Sequence, residues 1–123
     1  MTVSPLHLVI VNTPIGALGS GEGGGVELTL RSLVQGLVRR GHKLTVVAAK
    51  GSTLPADCSG VELLEVEGVN QPSWQHAADH ASVEIPRNGL LPALWEAALD
   101  AGQSADAVIN GGYDWLPLWL TQW

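Results

Sequence analysis

Residues 6–49 have the sequence LHLVIVNTPIGALGSGEGGGVELTLRSLVQGLVRRGHKLTVVAA. Residues 6–11 form an apolar run that is too short for a helix and rich in β-branched side chains, which predicts a strand buried on both faces. Residues 44–49 are a second run of the same kind. Between them, residues 25–40 carry apolar side chains at helical spacing. The order strand, loop, helix, strand predicts a βαβ unit with parallel strands and a right-handed crossover.

The helix over residues 25–40 is amphipathic and has well-marked ends. Glu27 lies in its first turn, and Arg39 and Arg40 lie in its last, as the helix dipole favours. Gly41 supplies the left-handed conformation that commonly ends a helix. The predicted buried face consists of Val26, Leu30, Leu33, Val34 and Leu37.

The rest of the chain continues the alternation of strands and helices. Residues 61–66 and 107–110 are short apolar runs that predict a third and a fourth strand, and the glutamates of the third place it near a sheet edge. A helix that ends at Gly102 is predicted after residue 90, with Pro92 in its first turn. Its apolar face contains Leu91, Leu94, Trp95, Ala98 and Leu99. A short helix is predicted around residues 74–82.

These elements predict an α/β fold in a single domain over residues 1–123, a Rossmann-like three-layer sandwich with a mostly parallel sheet. We predict the strand order 3-2-1-4. In such a sheet the ligand site lies at the carboxyl ends of strands one and four, where the strand order reverses.

The composition excludes several classes of protein. Hydrophobic residues make up 46% of the 123 residues and the mean hydropathy is +0.19, so the chain has enough apolar surface to fold. Six basic against twelve acidic residues give a net charge of −6, which argues against nucleic acids and anionic membranes as partners. No apolar stretch approaches the roughly 20 residues of a membrane span. The first apolar run has only six residues and no basic segment before it, so we expect no leader peptide. The single cysteine, Cys58, cannot form an internal disulfide, and we therefore predict a cytoplasmic location.

Six glycines lie between the first strand and the helix, and this loop is the strongest candidate for a binding site. Bare backbone N–H groups and the positive end of the helix dipole favour an anion there. The loop is not a Walker A motif, because no lysine occurs between Met1 and His42. The segment Gly19-Ser-Gly-Glu-Gly-Gly24 matches the letters of a dinucleotide fingerprint. However, it begins too far after the strand, and Lys50 stands where an acid should bind the ribose.

Three other candidates are weaker. His76 and His80 would share one face of a helix, with Asp79 beside them, but the spacing supplies no third ligand, so we predict no metal. Cys58 follows an aspartate, which disfavours a thiolate and argues against a nucleophile. His7 lies near the start of the first strand, and we interpret it as a side chain packed at the strand's end.

The end of the chain is strongly apolar. The segment Trp115–Trp123 contains three tryptophans and three leucines, and Asp114 and Pro117 suit the start of a helix. Such a helix would be apolar nearly all round, whereas a surface helix has a polar face. We therefore predict that the chain is a piece of a larger domain. The alternative is a homo-oligomer that buries Trp115–Trp123 between its subunits.

Two segments resemble a known family. The first runs from the strand that ends in Asn12-Thr-Pro, through the loop that ends Gly23-Gly-Gly-Val-Glu27, to the helix that closes Arg39-Arg-Gly-His-Lys-Leu-Thr-Val-Val-Ala48. It resembles the N-terminal lobe of retaining glycosyltransferases of family 4, the glycogen-synthase-like GT-B enzymes. The second, Asp106-Ala-Val-Ile-Asn-Gly-Gly-Tyr-Asp-Trp115, resembles that family's fourth strand and the turn after it.

The resemblance implies a function for this lobe. In that family the N-terminal lobe mainly binds the acceptor, and a C-terminal lobe with a Glu-x7-Glu motif binds the nucleotide-sugar donor. The glycine loop reaches toward the donor's diphosphate, which implies a diphosphate loop made of Gly23, Gly24, Gly25, Val26 and Glu27. The family often has a histidine after the fourth strand. None stands here, and the candidate acceptor contacts are Asn12, Asn110 and Tyr113.

The resemblance therefore predicts transfer of a sugar from a nucleotide-diphosphate sugar to an acceptor hydroxyl, with retained configuration and no cofactor or metal beyond that co-substrate. The family needs roughly three times this length, so we expect a truncated lobe that transfers nothing alone. Two alternatives remain. The first is a stand-alone phosphate- or nucleotide-binding or oligomeric assembly module. The second, less favoured, is a dinucleotide-dependent oxidoreductase domain.

Overall fold

The computed structural model describes residues 4–71, 85–112 and 115–120. In these residues four strands form a sheet in the order β3-β2-β1-β4, and each neighbouring pair is parallel. The strands are β1 (His7–Val11), β2 (Lys43–Ala49), β3 (Glu62–Val66) and β4 (Ala107–Asn110). The helices are α1 (Gly24–Arg39), α2 (Leu90–Gly102) and α3 (Trp115–Leu120), and a short 3-10 turn spans Ala56–Cys58. The predicted Rossmann-like α/β fold and strand order are confirmed.

β1 is one of the two inner strands, and both of its faces are covered. Leu8 and Ile10 pack in the cluster that includes the buried side of α1, whereas Val9 and Val11 pack in the cluster that includes α2. Successive side chains of a strand point to opposite faces, so a strand between two helical layers must be apolar at every position. Each fully buried aliphatic side chain stabilises the fold by roughly 1.5–3 kcal/mol. This explains the continuous apolar run.

The buried face of α1 differs from the predicted one. Leu30 and Val34 are buried as expected, but Val26 is 36% exposed and Leu33 is 37% exposed. Glu27 takes the buried position in the first turn instead. The centre of the buried face is thus turned by roughly 50°, half the angle between successive residues, and Leu37 and Val38 are packed at its far end. Gly41, at φ +86°, ends the helix in the left-handed conformation that was predicted for it.

β3 and α2 each leave some side chains exposed to solvent. β3 is an edge strand, and its Glu62 and Glu65 are exposed, as predicted. On α2 the predicted face is buried except for Leu99, which is exposed, and Leu90 is buried in addition. Leu99 was wrongly placed because it lies 100° around the helix from Ala98, beyond the stripe that touches the sheet.

α3 is a short helix that packs on the α2 side. Leu116 and Leu120 contact the cluster that contains α2, whereas Leu118 is 67% exposed. The predicted helix extends further, but residues 121–123 lie outside the described ranges. The same holds for the predicted short helix around residues 74–82, which carries the two candidate metal-binding histidines. None of the described helices is long and apolar enough to cross a membrane.

His7 ties the amino-terminal edge of the sheet together. Its Nδ1 lies 3.1 Å from the carbonyl oxygen of Ser104, and its Nε2 lies 3.1 Å from Oγ1 of Thr45. A carbonyl can only accept, so Nδ1 carries the proton toward Ser104. The interpretation of His7 as a side chain packed at the strand's end is confirmed. Over the described ranges, no group of three or more His, Cys, Asp or Glu side chains is arranged to hold a metal ion.

Candidate functional site

The candidate site lies where β1 and β4 end side by side. Val11 pairs with Asn110, and the N–H of Gly111 donates to the Val11 carbonyl at 2.8 Å. Asn12 begins the loop that leads from β1 to α1. β1 leads into α1 on one face of the sheet and β4 leads into α3 on the other, which is the arrangement that forms a ligand-binding crevice at the carboxyl ends of neighbouring parallel strands. The sequence predicted the site here.

Glu27 is the centre of the glycine loop. It is 4% exposed, and its carboxylate accepts hydrogen bonds from three backbone amides. The N–H of Gly19 donates to Oε1 at 2.7 Å, that of Gly21 to Oε1 at 3.0 Å and Oε2 at 3.2 Å, and that of Gly23 to Oε2 at 3.1 Å. Both carboxylate oxygens are therefore occupied by the loop, and the negative charge lies at the positive end of the α1 dipole.

The shape of the loop requires glycine at specific positions. Gly19 and Gly21 have φ values of +92° and +87°, a region that side chains rarely tolerate. At Gly23 a Cβ atom would lie 3.1 Å from Oε2 of Glu27, so a side chain there would press against the carboxylate. Positive φ at alternate residues turns successive N–H groups toward one centre, and Glu27 occupies that centre.

The middle of the loop is pinned to the turn after β2. Leu18 is buried, its N–H donates to Oγ of Ser52 at 2.9 Å, and its carbonyl accepts the N–H of Thr53 at 2.8 Å. Sequence reasoning missed this contact. The available signal was Leu18 itself, a large apolar residue among the glycines of this loop, since such a side chain is usually buried.

Asn12 is one of the three residues predicted to contact the acceptor, and it is buried at the carboxyl end of β1. It is 3% exposed, its backbone N–H donates to the Val47 carbonyl at 2.9 Å, and its Nδ2 donates to the Gly16 carbonyl at 3.2 Å. Its Oδ1 is buried and accepts no hydrogen bond from any described residue. A buried acceptor without a donor is costly. Asn12 therefore carries an unsatisfied buried acceptor at the start of the glycine loop.

The structure divides the five predicted loop residues into two groups. The N–H of Gly23 already donates to Glu27, so neither residue offers a free group to a ligand. Gly24, at φ +61°, and Gly25 are exposed, with open space where a side chain would be. The N–H of Gly24 donates to the Gly21 carbonyl at 3.3 Å, whereas the amides of the next two residues, Gly25 and Val26, have no intrahelical acceptor by position.

The predicted acceptor contacts are only partly brought together. Asn12 and Asn110 lie on neighbouring strand ends, but the Oδ1 of Asn110 accepts the N–H of Gly112 at 2.8 Å and so shapes the turn after β4. Tyr113 lies outside the described residues. The assignments of Asn110 and Tyr113 to acceptor binding stay predictions.

The ionisable groups on the other side of α1 are structural. Burial raises the pKa of the Cys58 thiol, and the neighbouring Asp57 carboxylate raises it further, so the thiolate is disfavoured, as predicted. A hydrogen bond from Gln35, together with Arg39, lowers the pKa of Asp57. Arg39 lies 3.3 Å from that carboxylate and forms an exposed ion pair with it. Such pairs contribute little to stability.

Lys50 also has a structural partner. Its Nζ lies 2.9 Å from Oε1 of Glu67, and this hydrogen bond raises the pKa of the lysine. A dinucleotide enzyme would place a free acid at the end of β2 to bind ribose hydroxyls. Here Lys50 occupies that position and is paired with Glu67 from the segment after β3.

No protein-family model matches this chain, and no curated protein sequence matches it. The functional argument therefore depends on the geometry of the crevice between β1 and β4 and on the sequence resemblance described above.

Proposed function

We propose that this chain forms the acceptor-side lobe of a retaining glycosyltransferase. The enzyme would move a sugar from a nucleotide-diphosphate sugar to an acceptor hydroxyl. The observation that carries the proposal is the glycine loop, which is hydrogen-bonded into a fixed shape at the β1–β4 crevice and leaves the first-turn amides of α1 exposed. A parallel α/β sheet binds its ligands at such a crevice.

The proposed roles follow from the groups that remain unpaired. The amides of Gly25 and Val26 and the positive end of α1 would stabilise the negative charge that builds on the departing diphosphate. The buried Oδ1 of Asn12 would accept a hydrogen bond from a hydroxyl of the bound sugar or acceptor. Because the two amides and the Asn12 oxygen are held in place before the ligand arrives, they need no reorganisation during the reaction.

Binding can be tested on the 123-residue chain by titrating the ¹⁵N-labelled protein with a uridine diphosphate sugar. We expect shifts of the Gly25 and Val26 amides, at millimolar concentrations because one lobe supplies few of the contacts. Uridine, which lacks phosphate, is the matched control and should leave these amides unmoved. Equal shifts with uridine, or none with the nucleotide sugar, would contradict a diphosphate loop.

Transfer itself is tested by sequencing the gene in frame past the Trp123 codon and expressing the whole reading frame. The proposal expects a second βαβ lobe with a Glu-x7-Glu motif, release of nucleoside diphosphate by the whole protein, and no release by residues 1–123 alone. A stop codon directly after Trp123, or release by the short chain alone, would contradict it.

One observation favours a second candidate, an oligomeric assembly module. Trp95, Val108 and Pro117 line a groove of about 300 Å³ beside α3, and Leu118 on its rim is 67% exposed. Exposed large apolar groups that lie close together mark interaction surfaces more often than single ones do. The occupant would be a second copy of this chain, and the association state in solution tests it.

A further inference from the structure

The loop amides that make a glycine-rich segment attractive to anions are already occupied in this protein. Gly19, Gly21 and Gly23 all donate to the two oxygens of one carboxylate, that of Glu27. Glu27 is buried, which limits the competition of water for these bonds. The carboxylate thus stands where a phosphate would sit in a loop of this shape.

We propose that Glu27 is a positioning residue that acts as a built-in anion. It fills the centre of the loop, keeps ligand anions out of it, and restricts phosphate contact to the first turn of α1. The proposal deepens the proposed function and rests on it for the identity of the ligand. It narrows the recognised group to one phosphate of the diphosphate, since only the amides of Gly25 and Val26 remain.

Two features of the site support a ligand outside the loop centre. The positions of Gly24 and Gly25 are open, so a phosphate can approach the backbone there. The Oδ1 of Asn12, at the start of the same loop, is buried and unpaired by any described residue. Asn12 is fixed through Nδ2 to the Gly16 carbonyl, so the same loop that Glu27 holds also orients this acceptor.

The chemistry of the contact requires a carboxylate. Oε1 accepts from Gly19 and Gly21, and Oε2 accepts from Gly21 and Gly23. A glutamine at this position would keep the size but offer only one oxygen, and its NH₂ group would face N–H donors. The Glu27→Gln variant therefore removes one of the two acceptor oxygens and the negative charge without leaving a cavity. Glu22→Gln is the matched control, because Glu22 lies in the same loop but is exposed.

The test combines amide hydrogen exchange and a pyrophosphate titration on ¹⁵N-labelled protein. In the wild type, the Gly19, Gly21 and Gly23 amides should exchange slowly and stay unshifted by pyrophosphate, while Gly25 and Val26 shift. In Glu27→Gln, those three amides should exchange roughly tenfold faster or more. They should also begin to shift with pyrophosphate, because they are now free to bind it.

Each outcome bears on one proposal. Unchanged exchange in Glu27→Gln, or equal changes in Glu22→Gln, overturns the role of Glu27. If Glu27→Gln does not fold, the wild-type exchange pattern still decides, since rapid exchange at Gly19, Gly21 and Gly23 would overturn it. If pyrophosphate shifts no amide of the wild type while exchange behaves as expected, the diphosphate-binding function fails and the loop-holding role of Glu27 stands.

Discussion

At the scale of single residues, glycine sets how closely the layers approach one another. Gly111 follows β4 directly, and a Cβ atom built there would lie 2.6 Å from the carbonyl oxygen of Val11 and 2.7 Å from Cδ1 of Leu30. Neither neighbour can move freely, because Val11 belongs to an inner strand and Leu30 to the core. A side chain at this position would separate β4 from β1 at the candidate site.

We expect Gly111→Ala to destabilise the protein by about 1–3 kcal/mol, the usual cost of an overpacked site. Chemical denaturation measures the change. Gly60→Ala is the control, since nothing lies within 4 Å of a Cβ atom there and its φ is not positive. It should be neutral or slightly stabilising. Equal effects of the two substitutions would show that the close approach at Gly111 has no energetic consequence.

Cys58 gives the folded state a dependence on alkaline pH. Its pKa is raised by burial, so the folded protein holds the thiol proton more tightly than the unfolded chain. The unfolded chain therefore loses the proton first, and stability should fall as the pH rises above about 8.5, the ordinary value for a thiol. Denaturation at pH 7 and pH 10 measures this, and Cys58→Ala should show a smaller loss between the two.

At the scale of elements, one face of α1 both packs against the sheet and holds the glycine loop. Leu30 and Val34 pack against the sheet, and Glu27, one turn earlier on the same side, organises the loop. The spacing of 27, 30 and 34 is the i, i+3, i+7 pattern of one helix face. Consequently the helix cannot rotate to bury Val26 without pulling the carboxylate out of the loop.

The rotated face of α1 predicts unequal costs for two similar substitutions. Leu30→Ala should destabilise the protein by about 2–5 kcal/mol, because it leaves a cavity in the core. Leu33→Ala removes the same atoms from a side chain that is 37% exposed and should cost less than about 1 kcal/mol. Thermal or chemical unfolding compares them. A larger effect at Leu33 would favour the face that was predicted from the sequence.

The fold could be predicted from the sequence more completely than the candidate site could. Apolar runs of strand length, alternating with amphipathic segments, were enough to predict four parallel strands and their order. They could not reveal that Glu27 turns inward, because its partners are backbone amides whose directions depend on positive φ at Gly19 and Gly21. The buried, unpaired oxygen of Asn12 was equally hidden, since composition says nothing about which acceptors lack donors.

At the scale of the whole molecule, the groove beside β4 and α3 brings two exposed large apolar side chains together. Val108 and Leu118 are both exposed, and both border the groove beside Trp95. On α1, Leu28 is exposed to the same degree but lies on the opposite side of the sheet. Substituting Leu118 and Leu28 in turn therefore distinguishes an effect of this groove from a general effect of losing an exposed apolar side chain.

If a second copy covers this groove, Leu118→Glu should shift the protein toward the monomer at a given concentration. Leu28→Glu changes a side chain that is 66% exposed, against 67% for Leu118, and should leave the association state unchanged. Light scattering coupled to size-exclusion chromatography measures the mass of each. A wild-type protein that stays monomeric at high concentration would count against the oligomeric assembly module.

The inner place of β1 has a consequence for how the protein is made. β1 pairs with β2 through Leu8 and Leu44, but with β4 only through residues near position 110. During synthesis the βαβ unit can form early, while the other edge of β1 stays unpaired until residues 107–110 have been made. An unpaired apolar strand edge is prone to aggregate. Such long-range pairing also folds slowly. Newly made chains should therefore depend on chaperones until β4 closes the sheet.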